Sequence, residues 1–310
     1  MNYAISVKDL EKSYKSNKVL KGLSFDVLEG ETFGLLGGNG AGKSTTLECI
    51  ERIKRFDSGS IKVLGKSILG HSHLHQVLGV QLQSTSLQDN VTISEAMKFY
   101  CKWQNIEPRT DLLERFGLSQ LTHKQYSSLS TGQKRRLHLA LSIINNPKIV
   151  ILDEPTAGLD VQGRVELHNE IRLLKKEGVT IILASHDMAE VESLCDRIAI
   201  IVKGEIRFIG TPEEVLLTGD NSRRIKIRTT NNCIYSMESF KESSVLSRNG
   251  DHISLHSKCL EKSLAELLEV IETKKDKIID LSIEGLSLEE KFVEVVGKYE
   301  GVNNDEGNII

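Results

Sequence analysis

Apolar and polar residues alternate near the start of the chain, with Ile5 and Val7, then Leu23, Phe25 and Val27, on one side of an extended backbone. Period two predicts two half-buried strands joined by a turn across Lys15–Lys18. The denser run Thr32–Leu36 predicts a strand covered on both faces. A glycine-rich turn follows, then a helical pattern that puts Leu47, Ile50 and Ile53 on one side. Strand, glycine loop and helix in that order make half of a parallel α/β unit.

From about residue 84 to 146 the pattern turns helical, with Ile93, Met97 and Tyr100 on one face and Leu137, Ala140, Leu141 and Ile144 on another. This predicts a helical insert between two strands of the main sheet. Buried strands are predicted over Lys148–Leu152 and Val179–Ala184, on either side of a polar helix over Val161–Glu177. A hairpin is predicted over Arg197–Val202 and Glu205–Ile209, turning at Lys203-Gly204. The Gly-Asp-Asn-Ser cluster within Thr218–Ser222 marks a domain boundary. Beyond it come an alternating segment (Ile225, Ile227), an amphipathic helix (Leu260, Leu264, Leu267, Leu268, Ile271) and a strand over Lys277–Ile283. A last helix opens with Ser287 and Glu290 in capping-box spacing and buries Leu288, Phe292, Val295 and Val296. The expected organisation is a domain over 1–220 with the insert at about 84–146, a small α+β domain over 221–300 and a disordered tail over 301–310.

Composition narrows the class. The 310 residues, 39% hydrophobic and 27% charged, are ordinary for a folded protein. A net charge of −3 from 40 basic and 43 acidic residues gives no bias toward nucleic acid, and no such partner is expected. No apolar run approaches the ~18–20 residues of a membrane span. The start carries no basic and apolar leader. Five cysteines without CxxC spacing argue against a disulfide framework or zinc site and for a reducing compartment. A soluble intracellular chain is expected, with any membrane role arising through a partner. The cluster His71, His73 and His75 has metal-like spacing but no closely flanking cysteine or carboxylate, and is read as a solvated loop.

The chemistry concentrates in two motifs. Gly37-Gly38-Asn39-Gly40-Ala41-Gly42-Lys43-Ser44 satisfies GxxxxGK[ST] between a predicted strand and helix, the context that the motif requires. Its backbone N–H groups converge on phosphate oxygens at a helix N-terminus, which Thr45 continues. Lys43 reaches the β and γ phosphates, and the Ser44 hydroxyl coordinates Mg²⁺. The apolar strand Ile149–Leu152 ends in Asp153 and Glu154. Asp153 is placed to hold Mg²⁺ directly or through water, and Glu154 to polarise the attacking water. Together the motifs define a P-loop nucleoside triphosphatase.

Leu129-Ser130-Thr131-Gly132-Gln133, just before a predicted helix, resembles the LSGGQ signature of ATP-binding cassette (ABC) ATPases. The physical logic is a second anion site at a helix N-terminus. The remaining motifs of the family occur in order over about residues 3 to 217. The resemblance implies that Tyr14 stacks on adenine and that Gln83 joins the Mg²⁺ site to the insert, with Gln81 as the alternative. It implies that the loop Gly158-Leu159-Asp160 crosses a dimer interface and that His186 contacts the γ phosphate. Ser130, Gly132 and Gln133 would meet ATP held by the other subunit of a head-to-tail pair. Two positions depart from the family pattern: Gly38 stands where many members carry proline, and Thr131 replaces the first signature glycine. The first loosens the loop before the phosphate nest; the second weakens or slows closure.

The resemblance therefore implies a P-loop ABC ATPase core with a helical insert, followed by a small α+β domain. It implies ATP and Mg²⁺ as ligands and hydrolysis coupled to transport. The partners implied are a separate transmembrane permease, docked at the insert, and a second ATPase subunit forming a homodimer or heterodimer. The location implied is the cytoplasmic face of the cell membrane. The ending Gly285–Gly297 resembles the close of ATPases serving drug and antibiotic exporters, which favours an amphiphilic cargo leaving the cell. An importer ATPase shares the same motifs. A soluble ABC ATPase acting on ribosomes or DNA is disfavoured by the single phosphate loop and the absence of a heptad coiled coil. A non-hydrolysing regulatory module is disfavoured by intact Glu154 and His186.

Overall fold

The computed structural model describes residues 2–70, 74–83, 86–217, 223–237, 239–249, 251–285 and 287–300. The chain divides into two compact units, Met1–Pro212 and Glu213–Ile310. The boundary expected at Thr218–Ser222 lies outside the described residues except for its approach. So do His71, His73 and the expected tail 301–310.

The first unit opens with β1 (Tyr3–Tyr14) and β2 (Asn17–Leu28), paired antiparallel, then β3 (Thr32–Leu36) and α1 (Lys43–Ile50). Next come β4 (Ser58–Val63), β5 (Lys66–Ser67), the short α2 (Leu74–Val77) and β6 (Leu78–Gln81). The insert supplies α3 (Ile93–Trp103), α4 (Thr110–Arg115) and α5 (Thr131–Ser142). The chain then returns through β7 (Ile149–Asp153), α6 (Val161–Lys176), β8 (Thr180–Ser185), α7 (Met188–Leu194), β9 (Arg197–Val202) and β10 (Glu205–Gly210).

Two sheets result. One is antiparallel in the order β2-β1-β4-β5; the other, in the order β10-β9-β3-β8-β7-β6, is parallel except for the β9–β10 hairpin. Strands β3, β7 and β8 are buried at every position, which matches their unbroken apolar runs. One core joins the sheets: Phe25 of β2 stacks on Phe33 of β3 with ring centroids 5.5 Å apart, and Leu47 and Ile50 of α1 pack into the same cluster. Ile53 is not part of α1's buried face; the helix ends at Ile50, and Ile53 is exposed.

The helical insert lies between β6 and β7, as its periodicity predicts. Two of its helices carry full capping boxes, Thr92 with Glu95 on α3 and Ser130 with Gln133 on α5. Ile93 and Met97 are buried and Tyr100 is half-buried; Leu137, Ala140, Leu141 and Ile144 are all buried.

The second unit begins within α8 (Pro212–Leu217) and continues with β11 (Arg223–Thr229), β12 (Ser243–Asn249) and β13 (His252–Ser257). It ends with α9 (Leu260–Thr273), β14 (Ile278–Gly285) and α10 (Leu288–Glu300). Its antiparallel sheet has the order β12-β13-β11-β14. Ile225, Ile227, Ile253 and Leu255 pack with Leu267 and Ile271 of α9. Leu268, expected on that buried face, is exposed. Ser287 and Glu290 cap α10 reciprocally; Leu288 is buried, whereas Phe292, Val295 and Val296 are half-buried.

Candidate functional site

Strands β3, β8, β7 and β6 are consecutive neighbours and parallel, so their C-terminal ends share one edge of the sheet. Register aligns them closely: Leu36 pairs with Ser185, Asp153 with Ala184 and Gln81 with Leu152. The residues that follow those ends are, in spatial order, the glycine loop, His186, Asp153 with Glu154, and Gln83. The carboxyl edge of an open α/β sheet is where such folds place ligands.

The loop between β3 and α1 is shaped by its glycines. Gly40 and Gly42 have φ of +77° and +114°, a region that side chains oppose. A Cβ on Gly37 would lie 2.6 Å from the Ile201 carbonyl oxygen. Gly38, Asn39 and Gly40 are exposed, while Gly37, Ala41, Gly42 and Lys43 are buried. Lys43 turns back into the loop, where its Nζ donates to the carbonyls of Gly37 at 2.7 Å and Gly38 at 3.4 Å. Burial pulls its pKa down, against the pull of Glu154 and Asp153. Ser44 and Thr45 are half-buried at the start of α1.

Across from the loop, Asp153 is buried, and burial raises its pKa against a hydrogen bond from Ser44. Its Oδ1 has no hydrogen-bond partner. Glu154 is buried with φ of +50°, and its Oε2 lies 2.6 Å from His186 Nδ1. Thus Lys43, Ser44, Asp153, Glu154 and His186, drawn from three strand ends, are linked at one sheet edge by these contacts and charges.

Ser130, Gly132 and Asp160 meet elsewhere. With Thr131, Gly158 and Leu159 they line a cavity of about 380 Å³ whose lining includes no residue of the glycine loop. Ser130 caps α5, accepting from the Gln133 N–H at 3.2 Å, and Gln133 accepts from the Ser130 N–H in return. Asp160 caps α6 by accepting from the Gly163 N–H at 2.8 Å. Thr131 is exposed. Tyr14, at the end of β1, is 38% exposed, with the ammonium groups of Lys12 and Lys54 over its ring. Gln83 lies just past β6 with its side chain exposed, and its backbone carbonyl accepts from Arg135. Gln81 is buried within β6, and neither amide atom of its side chain has a partner.

Arg164 and Glu190, which no motif marks, hold the turn that carries His186. Arg164 of α6 pairs with Asp187 at 2.6 Å; the Asp187 N–H donates to Ser185 Oγ, and that hydroxyl donates to buried Glu190. This network fixes the turn that carries His186. Glu51, after α1, has both carboxylate oxygens buried without partners, and burial, with help from Asp153 and Glu48, raises its pKa to about 8. Arg164 has no local sequence signal because its partner Asp187 comes from a distant element, and Glu51 has none because its burial arises only from packing.

A glycine loop between a buried strand and a helix, faced by a strand ending in carboxylates, is the phosphate-binding arrangement of P-loop nucleoside triphosphatases. The ABC transporter family profile matches residues 20–157. The linearmycin resistance ATP-binding protein LnrL of Bacillus subtilis is 31% identical over 95% of this chain and 98% of its own. The Nod factor export ATP-binding protein I of Ralstonia nicotianae is 38% identical over 68% of each chain. Among solved structures, cbiO1 of Clostridium perfringens, part of the ABC transporter complex cbiONQ, is 32% identical with a TM-score of 0.62, covering 70% of this chain and 92% of its own. The chain belongs to the ABC transporter family, as an ATP-binding and ATP-hydrolysing subunit. Such a subunit works with a membrane permease. No helix among the described residues is long and apolar enough to cross a membrane.

Proposed function

We propose that the chain powers a separate permease in the export of an amphiphile such as a drug, antibiotic or toxin, from the cytoplasmic face of the membrane. The observation that carries the direction is the likeness to a linearmycin resistance protein along nearly the whole chain, the second unit included. The likeness to a Nod factor export protein over the ATPase region supports it.

ATP binds with its phosphates in the loop 37–45, Lys43 reaching the β and γ phosphates and Tyr14 stacking on the base. Mg²⁺ is held by Ser44 and Asp153, with Gln83 linking that site to the insert. The buried, unpartnered Asp153 Oδ1 suits a cation that takes few protein ligands and completes its shell with water and phosphate. When bound, Mg²⁺ neutralises charge developing on the phosphate oxygens. Glu154 orients the attacking water, and His186 bears on the γ phosphate. Because the Ser130–Gly132 and Gly158–Asp160 cavity excludes the glycine loop, it is suited to receive ATP held by a second, antiparallel ATPase subunit. Hydrolysis then removes the phosphate that bridges the pair.

The permease docks at the helical insert. A groove of about 460 Å³ there is lined by Glu51, Leu78, Tyr100, Trp103 and Leu141, and Phe99 and Trp103 are exposed beside it. The test is a membrane pull-down with tagged Glu154→Gln protein, with and without ATP. Recovery of a multi-span permease supports the reading; recovery of ribosomes or DNA with no membrane protein overturns it.

A further inference from the structure

We infer that Arg115 is a positioning residue for hydrolysis: it ties the helical insert to α6, so that Ser130 with Gly132 and the loop Gly158–Asp160 form one preset site. This role rests on the proposed seating of a second subunit's ATP in that cavity. The two halves of the cavity belong to different parts of the fold. Ser130, Thr131 and Gly132 open α5 of the insert, whereas Gly158, Leu159 and Asp160 lead into α6, between β7 and β8. A Cβ on Gly158 would lie 3.7 Å from Thr131 Cγ2, and one on Gly132 3.9 Å from Leu159 Cδ2, so the halves touch. How they meet depends on the angle between the insert and α6, because the chain leaves the sheet after β6 and returns only at β7. Apolar contact is non-directional, whereas forked, charge-assisted hydrogen bonds fix an orientation.

Such bonds connect the insert to α6 along its length. Gln162, Glu166, Glu170 and Glu177 recur at helical spacing and form one stripe. Arg115, the last residue of α4, meets that stripe twice. Its Nε donates to Glu170 Oε2 at 2.9 Å, and its Nη1 donates to the two oxygens of Glu177 at 2.9 and 3.1 Å. Nearer the cavity, Arg136 of α5 donates to Glu166 at 2.9 Å, and Gln162 donates to the other oxygen of the same carboxylate. A Cβ on Gly117, two residues past Arg115, would lie 3.6 Å from Arg136 Nη1, so the two arginines belong to one packed cluster.

The Arg115 and Glu170 side chains are 25% and 17% exposed, which sets this pair apart from a screened surface ion pair. The opposite side of α6 is tied to residues flanking α7, where Arg164 pairs with Asp187 and Lys175 with Asp196. Helix α6 is therefore held from behind, and Arg115 holds the insert to it. Arg136 and Glu166 line the cavity, so a change at either alters the surface of the site itself. Arg115 does not line it, and acts on it only through position.

The test uses full-length protein. In a Glu154→Gln background, ATP-dependent dimerisation is followed by light scattering over a range of protein concentrations, from 34.6 kDa to twice that mass. Arg115→Ala is expected to raise the concentration at half-dimerisation about tenfold, with fluorescent ATP-analogue binding by the monomer unchanged. With Glu154 intact and the permease present, kcat is expected to fall about tenfold. Arg115→Lys should restore part of both losses, since an ammonium keeps the charge without the fork. Glu170→Ala combined with Glu177→Ala is expected to reproduce the loss, and adding Arg115→Ala to that pair to cost at most about twofold more. An Arg115→Ala variant that dimerises like its parent, or that loses ATP-analogue binding in the same proportion, overturns the proposal while leaving the second-subunit reading intact. Losses that add in full across the arginine and the two glutamates overturn it as well. A Glu154→Gln parent that stays monomeric with ATP overturns both.

Discussion

His186 Nδ1 lies 2.6 Å from Glu154 Oε2, joining the end of β8 to the residue that follows β7. The two differ in environment: the histidine side chain is 64% exposed, the carboxylate 9%. Glu154 also holds a left-handed φ of +50°, a conformation that costs of order 1–3 kcal/mol for a non-glycine residue and recurs at functional sites. A buried carboxylate oriented by an exposed imidazole is suited to hold a water against a phosphate. Glu154→Gln is expected to lower phosphate release about 10²–10⁴-fold while ATP binding persists. Equal turnover by the variant and the parent, measured with the permease present, would refute the role.

Arg164 offers a test that touches no nucleotide. Its pairing with Asp187 at 2.6 Å, and the Asp187–Ser185–Glu190 network behind it, set the backbone on which His186 stands. Arg164→Ala is expected to reduce kcat about tenfold with KM unchanged, because a displaced positioning group weakens the transition state more than substrate binding. Arg164→Lys should restore part of the loss. A rise in KM alone would place Arg164 in a different role.

The glycine loop makes a paired prediction. A Cβ on Gly37 would press on the Ile201 carbonyl at 2.6 Å and on Ala41 Cβ at 2.8 Å, whereas one on Gly38 would meet nothing within 4 Å. Gly37→Ala is expected to destabilise by about 1–3 kcal/mol and to weaken ATP binding. Gly38→Ala is expected to stay within about 0.5 kcal/mol of the parent. Thermal unfolding and titration with a fluorescent ATP analogue read both.

What could be read beforehand was what lies close together in sequence. The loop 37–44 and the strand ending in Asp153-Glu154 announce themselves because their chemistry needs adjacent residues, and β3, β7 and β8 because full burial demands unbroken apolar runs. The hairpin of β12 and β13 was not anticipated: Ser243–Asn249 has only Val245 and Leu246 as apolar residues, side by side, so period two is absent. Ile53 fits the helical spacing of Leu47 and Ile50, yet α1 stops at Ile50 and the spacing lapses with it. Thr131 and Gly158 lie far apart in the chain and become neighbours only through the packing of α5 near α6. Glu51 carries no motif, and the motif leaves Gln81 and Gln83 as alternatives; that Glu51 and Gln81 are buried without partners is a product of tertiary structure alone.

Glu51 gives stability a pH dependence whose sign can be worked out. Its folded pKa is about 8, raised first by burial and then by Asp153 and Glu48, against an ordinary value of 4.5. The folded state therefore holds a proton that the unfolded chain releases, and stability declines as pH rises from about 4.5 to about 8. His138 acts the other way. Burial holds it near 4 rather than 6.5, so its neutral form adds stability as pH climbs to about 6.5 and adds no more beyond that. Between about 6.5 and 8 the Glu51 contribution has the same sign as those of Asp153 and Glu31, whose pKa values burial also raises, whereas the carboxylates with lowered pKa, such as Asp57, Glu95 and Asp111, have ionised in both states. Nucleotide-free protein is expected to lose on the order of 1–2 kcal/mol across that window. Glu51→Gln keeps the side chain's size and removes its proton equilibrium, so the variant should have a shallower slope there and be more stable at pH 8. Unfolding midpoints measured at several pH values decide it: a slope that Glu51→Gln leaves undiminished would show that another group is responsible.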